Sequence, residues 1–349
     1  MSKRTTMEDV ARAAGVSRAL VSIAFRDAPG VSASTKAHIL DTARQLGYRV
    51  NTVASNLASR SRRSVGIFLL DLRQEVYADI FDGIREVVEQ ENLHLVLSVG
   101  SEDGSRDASS LEALIASQVA VIIGVGMLLP DEHVQSFNRI TPIVSVAREV
   151  DGVDSVAADN ETGAREATEH LITLGHQRIA FLSNPQTDGY LGRRLGYLAA
   201  MEQAGLTPTV VDSTYSRQAA TADIREELRN PPDLRPTAVF AHNDQAALGV
   251  MDSASELGLT VPDDLSIVGF DNSQFSAAPT TRLTTVDLHG AELGRAAARA
   301  ALKRLGAPSA PPQLTTSLPT LIVRGSSAPP RMHPGRSLPE GTEQPYASA

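Results

Sequence analysis

The chain has 349 residues, a formal net charge of −9 and no cysteine. That length holds two or three domains, each with a core of its own, and the absence of cysteine excludes disulfides, thiolate catalysis and Cys-type zinc sites. No apolar run approaches the roughly 20 residues that span a bilayer, and MSKRTTMEDV has no apolar stretch behind its bases, so no export signal is read and a cytoplasmic protein is expected.

Charge is unevenly spread. Residues 1–64 hold 11 Lys or Arg against 4 acids, a balance of +7; the remainder holds 21 against 37, or −16. A basic head suits a polyanion, and an acidic body stays soluble and away from it. In the head, Thr5 or Thr6 caps a first helix, with Glu8 or Asp9 completing a capping box and Met7, Val10, Ala11 and Ala14 inward. Gly15 ends it. Ser17 caps RALVSIAF, whose inward face is Leu20, Val21, Ala24 and Phe25, and DAPG breaks that helix. Ser32 caps a third helix that runs to Leu46 with Ile39, Leu40, Ala43 and Leu46 inward. Helix, glycine turn and helix within about twenty residues is the spacing of a helix-turn-helix. The outward face of the second helix begins with Ser17, Arg18, Ala19 and Ser22, small or hydrogen-bonding side chains with one Arg able to fork onto a guanine edge. A bare three-helix bundle is the plain alternative; the excess of positive charge favours DNA.

The ordered phrases TMEDVARAAGVS, VSASTKAHILDTARQLGY and NTVASNLAS resemble the N-terminal head of the LacI/GalR family of transcription regulators. The resemblance implies that the second helix reads an operator and that NTVASNLAS is a hinge that becomes helical on DNA and enters the minor groove, with Leu57 prising apart the central base step and Asn51 and Ala54 completing the pattern. With Thr6, Ser17, Arg18, Ala19 and Ser22, these make the DNA-binding set. About eight residues are too few for a stable lone helix, and an apolar wedge repays its unstacking cost through the bent complex. The chain departs from the family at Val50 (usually Pro), Leu20 (usually Thr) and Ile23 (frequently Arg), which makes Arg18 the main candidate for a base contact.

From Val65 onward, apolar runs alternate with amphipathic segments. The runs are VGIFLL (65–70), LHLVLSV (93–99), VAVIIG (119–124), PIVSVA (142–147), RIAFLS (178–183), PTVVD (208–212), TAVFA (237–241), LSIVGF (265–270) and RLTTV (282–286). That alternation predicts parallel sheets covered on both faces, and nine runs suggest two lobes. Ligands of such sheets sit beyond the carboxyl ends of strands, which places a small-molecule site between the lobes. The body continues the resemblance to about Pro330, through DNETGAREATEHLITLGHQRIAFLS and FAHNDQAALGVMDSASELGLTVPDDLSIVGFDN among other phrases, and the family is similar to periplasmic sugar-binding proteins here, with the chain crossing between lobes several times.

Candidate ligand residues follow strands. Asp271 can accept two hydroxyl hydrogen bonds, and Asn243 can donate and accept. Arg193 stands in an Arg-x-x-Gly phrase and offers a fork, Tyr77 and Tyr215 match commonly aromatic walls, and Arg148 ends PIVSVA. Each has a plain alternative: helix or turn capping for Asn243 and Asp271, a surface ion pair for Arg148, core packing for the tyrosines. Ala147-Arg148 stands where the family often has Asp-Arg, Gln74-Glu75-Val76-Tyr77 where it has Asn-Pro-Phe-Phe, and Gly124 where a polar side chain is frequent. GVGM at 124–127 lacks a third dinucleotide-spaced glycine, no P-loop or nucleophile elbow is present, and the eight histidines are scattered. Catalytic residues, metal ligands and cofactors are therefore read as none.

The expectation is an α/β chain: a helix-turn-helix three-helix head (1–50), a hinge helix and basic linker (51–64), and two Rossmann-like lobes of periplasmic-binding-protein type (65–330). Lobe 1 is about 65–158 plus 288–312, lobe 2 about 159–287 plus 313–330, and 331–349 reads as a disordered tail. The expected function is a homodimeric, ligand-responsive regulator, a repressor on a near-palindromic duplex operator, switched by a sugar-like small-molecule effector, not membrane-bound and not an enzyme. The alternatives are a solute-binding protein without a DNA role, a sugar-processing α/β enzyme, and a DNA-binding regulator that has lost its ligand.

Overall fold

A computed structural model describes residues 5–25, 29–48, 64–184 and 190–331. Asn51, Ala54, Leu57 and the RSRR segment lie outside the described residues, as does 332–349. Residues 1–63 and 64–349 form two separate units.

In the first unit α1 (Met7–Ala13), α2 (Arg18–Phe25) and α3 (Ala33–Gln45) pack pairwise. Thr6 caps α1: its hydroxyl accepts from the Asp9 amide while the Asp9 carboxylate accepts from the Thr6 amide at 2.9 Å, a capping box. Gly15 takes φ +67°, and its turn joins α1 to α2. Val10, Val21 and Ile39 are fully enclosed, with Ala11, Ala14, Ala24 and Ala43 around them. Three expected core residues differ, Leu40 being half-buried outside the cluster. Leu46 lies past the end of α3 and is 40% exposed, and Leu20 is half-buried outside the cluster. The open end of this core is closed by Tyr48 instead, edge-on to Phe25 at 5.6 Å.

The second unit has two six-stranded sheets. The first runs β11-β5-β4-β3-β1-β2 and the second β12-β10-β9-β8-β6-β7. Their strands are β1 (Ser64–Leu69), β2 (His94–Val99), β3 (Val121–Val125), β4 (Ile143–Val146), β5 (Asp154–Ala158), β6 (Ile179–Ser183), β7 (Thr209–Asp212), β8 (Ala238–Ala241), β9 (Ser266–Asp271), β10 (Thr284–Asp287), β11 (Leu314–Ser317) and β12 (Thr320–Ile322). All pairings are parallel except β10 with β12. The central strands β1, β3, β4, β6 and β8 are buried along their whole length, as continuous apolar runs require in a sheet covered on both faces. Helices α4 (Glu75–Gln90), α5 (Asp107–Ala116), α6 (Asp131–Asn138) and α12 (Gly290–Gly306) accompany the first sheet. Helices α7 (Asn160–Thr173), α8 (Tyr190–Gln203), α9 (Arg217–Asp223), α10 (Arg225–Arg229) and α11 (Asp244–Glu256) accompany the second.

The chain crosses between sheets three times: from β5 into α7, from β10 into α12, and from β11 into β12. The third crossing follows Ser317, later than the 312/313 boundary read from sequence, because Leu314–Ser317 pairs with β5. Arg331, expected in the tail, donates to Asp264 at 3.0 Å. Among the described residues no helix is long and apolar enough to cross a membrane.

Helices α7 and α8 approach closely at Gly196. A β-carbon there would stand 2.2 Å from the Glu161 carbonyl oxygen and 2.8 Å from the Arg165 amide nitrogen. Backbone cannot yield as a side-chain tip can, so any larger residue pushes the helices apart. We expect Gly196→Ala to destabilise this unit by about 1–3 kcal/mol, read as a lower urea midpoint with an unchanged m-value.

Candidate functional site

Two features of the described residues can carry function: the exposed end of α2 and a cavity in the second unit. In the head, the Ser17 hydroxyl caps α2 by accepting from the Leu20 amide at 3.2 Å. Arg18 and Ala19 follow on the outward face and are exposed, and Ser22, one turn on, is half-buried. Thr6 is occupied by its capping box, and its remaining surface is exposed.

The cavity, about 720 Å³ with its mouth, lies where the carboxyl ends of the two sheets' strands face each other. One wall is largely apolar: Leu70 after β1, Val76 and Ile80 of α4, Leu128 after β3, and Leu288 and Leu293 near the start of α12. The opposite wall is polar, with Asn160, Asn184, Arg193, Tyr215, Asn243 and Asp271. Tyr77, Arg193, Tyr215, Asn243 and Asp271, chosen from sequence, are thus brought to one cavity. Arg148 is not. It is buried, donates to the Met127 carbonyl at 3.0 Å and pairs with Asp131, so it braces the loop after β3. The reading of Arg148 as a ligand contact is corrected here: Ala147, at φ +74°, faces the cavity instead.

Each polar group is held in place. The close α7–α8 approach lets Arg193 Nε donate to Asn160 Oδ1 at 2.9 Å. Its guanidinium also bonds the His242 carbonyl and lies 4.0 Å above the Phe270 ring. Asn243 caps α11, its Oδ1 accepting from the Ala246 amide at 2.8 Å, and its Nδ2 donates across the cavity to Gln74 Oε1 at 3.2 Å. Capping and lining therefore coexist in one side chain. Gln74 Nε2 donates to the Tyr215 carbonyl at 3.2 Å, so this residue of the first lobe bonds the second at both amide atoms. Sequence reasoning noted Gln74 only as a departure, and missed Asn160 and Asn184. Only tertiary placement brings them to the cavity, although Asn160 lies in the phrase DNETGAREATEHLITLGHQRIAFLS.

Asp271 ends β9 with φ +115°, followed by Asn272 at φ +56°, unusual values for residues other than glycine. Asn272 holds this turn by donating to Asp287 at 3.0 Å and accepting from Arg324 at 2.6 Å. The Asp271 carboxyl lies 3.8 Å from Arg193, too far for a hydrogen bond. Loss of water outweighs that attraction, and the neighbouring Asp244 and Asp79 push the same way, so Asp271 is raised to about 8. Burial also raises Asp244 to about 6, against bonds from Thr285 and Ser273. The Tyr77 hydroxyl is held well above its ordinary value by desolvation and then by Tyr215 and Asp271, and stays protonated. Burial lowers His242 to about 3, so its ring is neutral.

Residues 6–51 match the bacterial regulatory proteins of the lacI family, and residues 168–327 match the periplasmic binding protein-like domain. The chain is 32% identical over 302 residues to catabolite control protein A of Priestia megaterium, covering 84% of this chain and 90% of that one. It belongs to the LacI family. Among solved structures it is similar to the lac repressor dimer bound to operator and the anti-inducer ONPF, with TM-score 0.82, 25% identity and coverage of 93% and 100%. It is also similar to the complex of the transcriptional regulator CelR with cellobiose, with TM-score 0.69, 27% identity and the same coverage. This LacI-family chain is a DNA-binding transcription regulator and not an enzyme.

In this regulator the acid of the cleft should leave a pH signature. Between about pH 4 and 8 the folded chain keeps on Asp271 a proton that the unfolded chain has released, so this group's contribution to stability falls as pH rises through that window. Asp271→Asn removes the dependence, while Arg193 keeps its carbonyl, amide and ring partners. Thermal midpoints at pH 5, 6.5 and 8 should fall more steeply in the wild type than in Asp271→Asn; parallel curves would contradict the raised value.

Proposed function

We propose that this LacI-family regulator is a repressor that works in the cytoplasm as a homodimer on a near-palindromic duplex operator, with a sugar-like small molecule in the interlobe cavity as its switch. The observation that carries the reading is the coexistence in one chain of an exposed Arg18–Ala19 helix start within a basic head and a cavity with a wall of Asn, Arg and Asp side chains. α2 enters the major groove, where Arg18 forks onto a guanine and Ala19 and Ser22 tolerate close approach. Thr6 and Ser17 sit beside phosphates, fixing register.

Residues 1–50 act as the DNA head, 51–64 as the hinge and 65–330 as the effector body. Asn51 and Ala54 line the minor groove and Leu57 is the wedge, paired with its copy across the dimer. In the cavity Asp271, Asn243 and Arg193 take hydroxyls, with Tyr77 and Tyr215 as walls. Ligand changes the lobe angle and with it the pairing of the hinges, the two-state element that both sites bias. A regulator that acts without an effector is the second reading, supported by Gln74, whose two bonds to the opposite lobe need no ligand.

Selection of the full-length protein on a random duplex library tests the reading. A near-palindrome with a constant central step is expected. On that duplex Arg18→Ala should weaken binding about 10–100-fold and relax one position per half-site. Leu57→Ala should weaken operator binding while leaving ligand binding intact. A bound pool with no enriched sequence would overturn the operator reading.

A further inference from the structure

Helix α2 carries two large apolar side chains that the core of the head does not take up. Among the described residues of the head, Leu20 and Ile23 are half-buried, yet neither belongs to the cluster around Val10, Val21 and Ile39 or to the residues packed against it. At about 100° per residue, Ala19 and Ile23 lie about 40° apart round the helix, and Leu20 lies about 60° beyond Ile23. Arg18 and Ser22 form another pair about 40° apart, on the other side of Ala19. The surface of α2 away from Val21 and Ala24 is thus split lengthwise. One strip is polar, with Arg18 and Ser22, and the other is apolar, with Ala19, Ile23 and Leu20.

A single apolar side chain at a surface is ordinary. Here two lie one turn apart, beside an exposed Arg18, in a segment whose balance is +7. What covers this strip therefore carries negative charge and also presents an apolar group at the same depth. Duplex DNA offers one such group in its major groove, the C5 methyl of thymine. Leu and Ile side chains have no hydrogen-bonding atom. Set against the cytosine amino group or the acceptors of a purine, they would take a polar edge out of water and give it no partner. Ile23 is β-branched and keeps essentially one χ1 rotamer in a helix, so it meets the groove already fixed.

We propose that Leu20 and Ile23 read the C5 methyl groups of thymines in each half-site, beside the guanine taken by Arg18. The inference rests on α2 entering the major groove. Side chains one turn apart on a helix have Cβ atoms about 5–6 Å apart, and successive bases of a strand rise about 3.4 Å. The two methyls therefore stand one or two base steps apart. Each half-site then holds two T·A pairs next to the pair that supplies the guanine. Recognition is divided between the strips: Arg18 and Ser22 act through hydrogen bonds, and Leu20 and Ile23 through shape and the removal of water from a methyl group.

The test uses the full chain and the duplex selected from the random library. Each constant thymine is replaced in turn by deoxyuridine, which lacks only the methyl group. At two thymines per half-site the wild type should bind the deoxyuridine duplex about fourfold more weakly, the effect of one buried methyl. With a C·G pair placed at either position, 5-methylcytosine should bind more tightly than cytosine. Leu20→Ala should lose the discrimination at one of the two positions and Ile23→Ala at the other. Arg18→Ala, though weaker overall, should keep both. The wild-type comparison involves no substitution in the protein, so it holds whether or not a variant folds less well. A selected half-site without a constant thymine, equal binding of thymine and deoxyuridine duplexes at every position, or full discrimination in both the Leu20→Ala and Ile23→Ala proteins would overturn the methyl readout. Those outcomes leave the operator reading standing, because the Arg18→Ala measurement decides it separately. A pool with no enriched sequence would refute the operator reading and the methyl readout with it.

Discussion

The parallel strand is the constraint on which the rest of this structure depends. Strands that run the same way need a crossover between each pair, so all their carboxyl ends gather on one edge of the sheet. Two such sheets, joined by three crossings, turn those edges towards each other. Residues far apart in the chain then meet without special loops: Gln74 bonds Asn243 although 169 positions separate them. The cleft is a consequence of topology, and its chemistry consists of whatever residues follow each strand.

Burial then decides how those residues behave. Arg193 is oriented by a carbonyl, an amide oxygen and a ring face, and so does not rely on its acidic neighbour for its position. Asp271, near the same cation, is nevertheless pushed up because desolvation exceeds an attraction across 3.8 Å. A carboxyl poised in this way can donate or accept, and a hydroxylated ligand that supplies hydrogen bonds favours its ionised form. The unusual backbone at Ala147, Asp271 and Asn272 lies around this cleft and is held by neighbouring side chains rather than by glycine.

Much of the fold was legible because continuous apolar runs need no context. All nine runs are strands, and the alternation with helices marked two parallel sheets. The strands that escaped notice are β5, DSVAA, and the short β11 and β12. Two of them are edge strands, and all carry small or polar residues whose strand state comes from pairing rather than from pattern. In the head, the capping box and the inward face of α1 were readable from spacing, whereas Leu20 of α2 lies outside the core and the exposure of Leu46 follows from where α3 stops. Arg148 was misjudged as a cleft residue because position after a strand does not determine which way a long side chain turns.

The sequence by itself determined the basic head with its helix–glycine–helix spacing, the alternating body, and six candidate body residues, five of which line the cavity. These follow from local periodicity, capping chemistry and charge, which neighbours in the chain decide. Only the tertiary structure decided that one wall of the cleft is apolar and the other polar, and that Gln74 reaches across it. Those facts depend on strand order and crossover position. They are set by packing between residues a hundred or more positions apart, which local pattern does not encode.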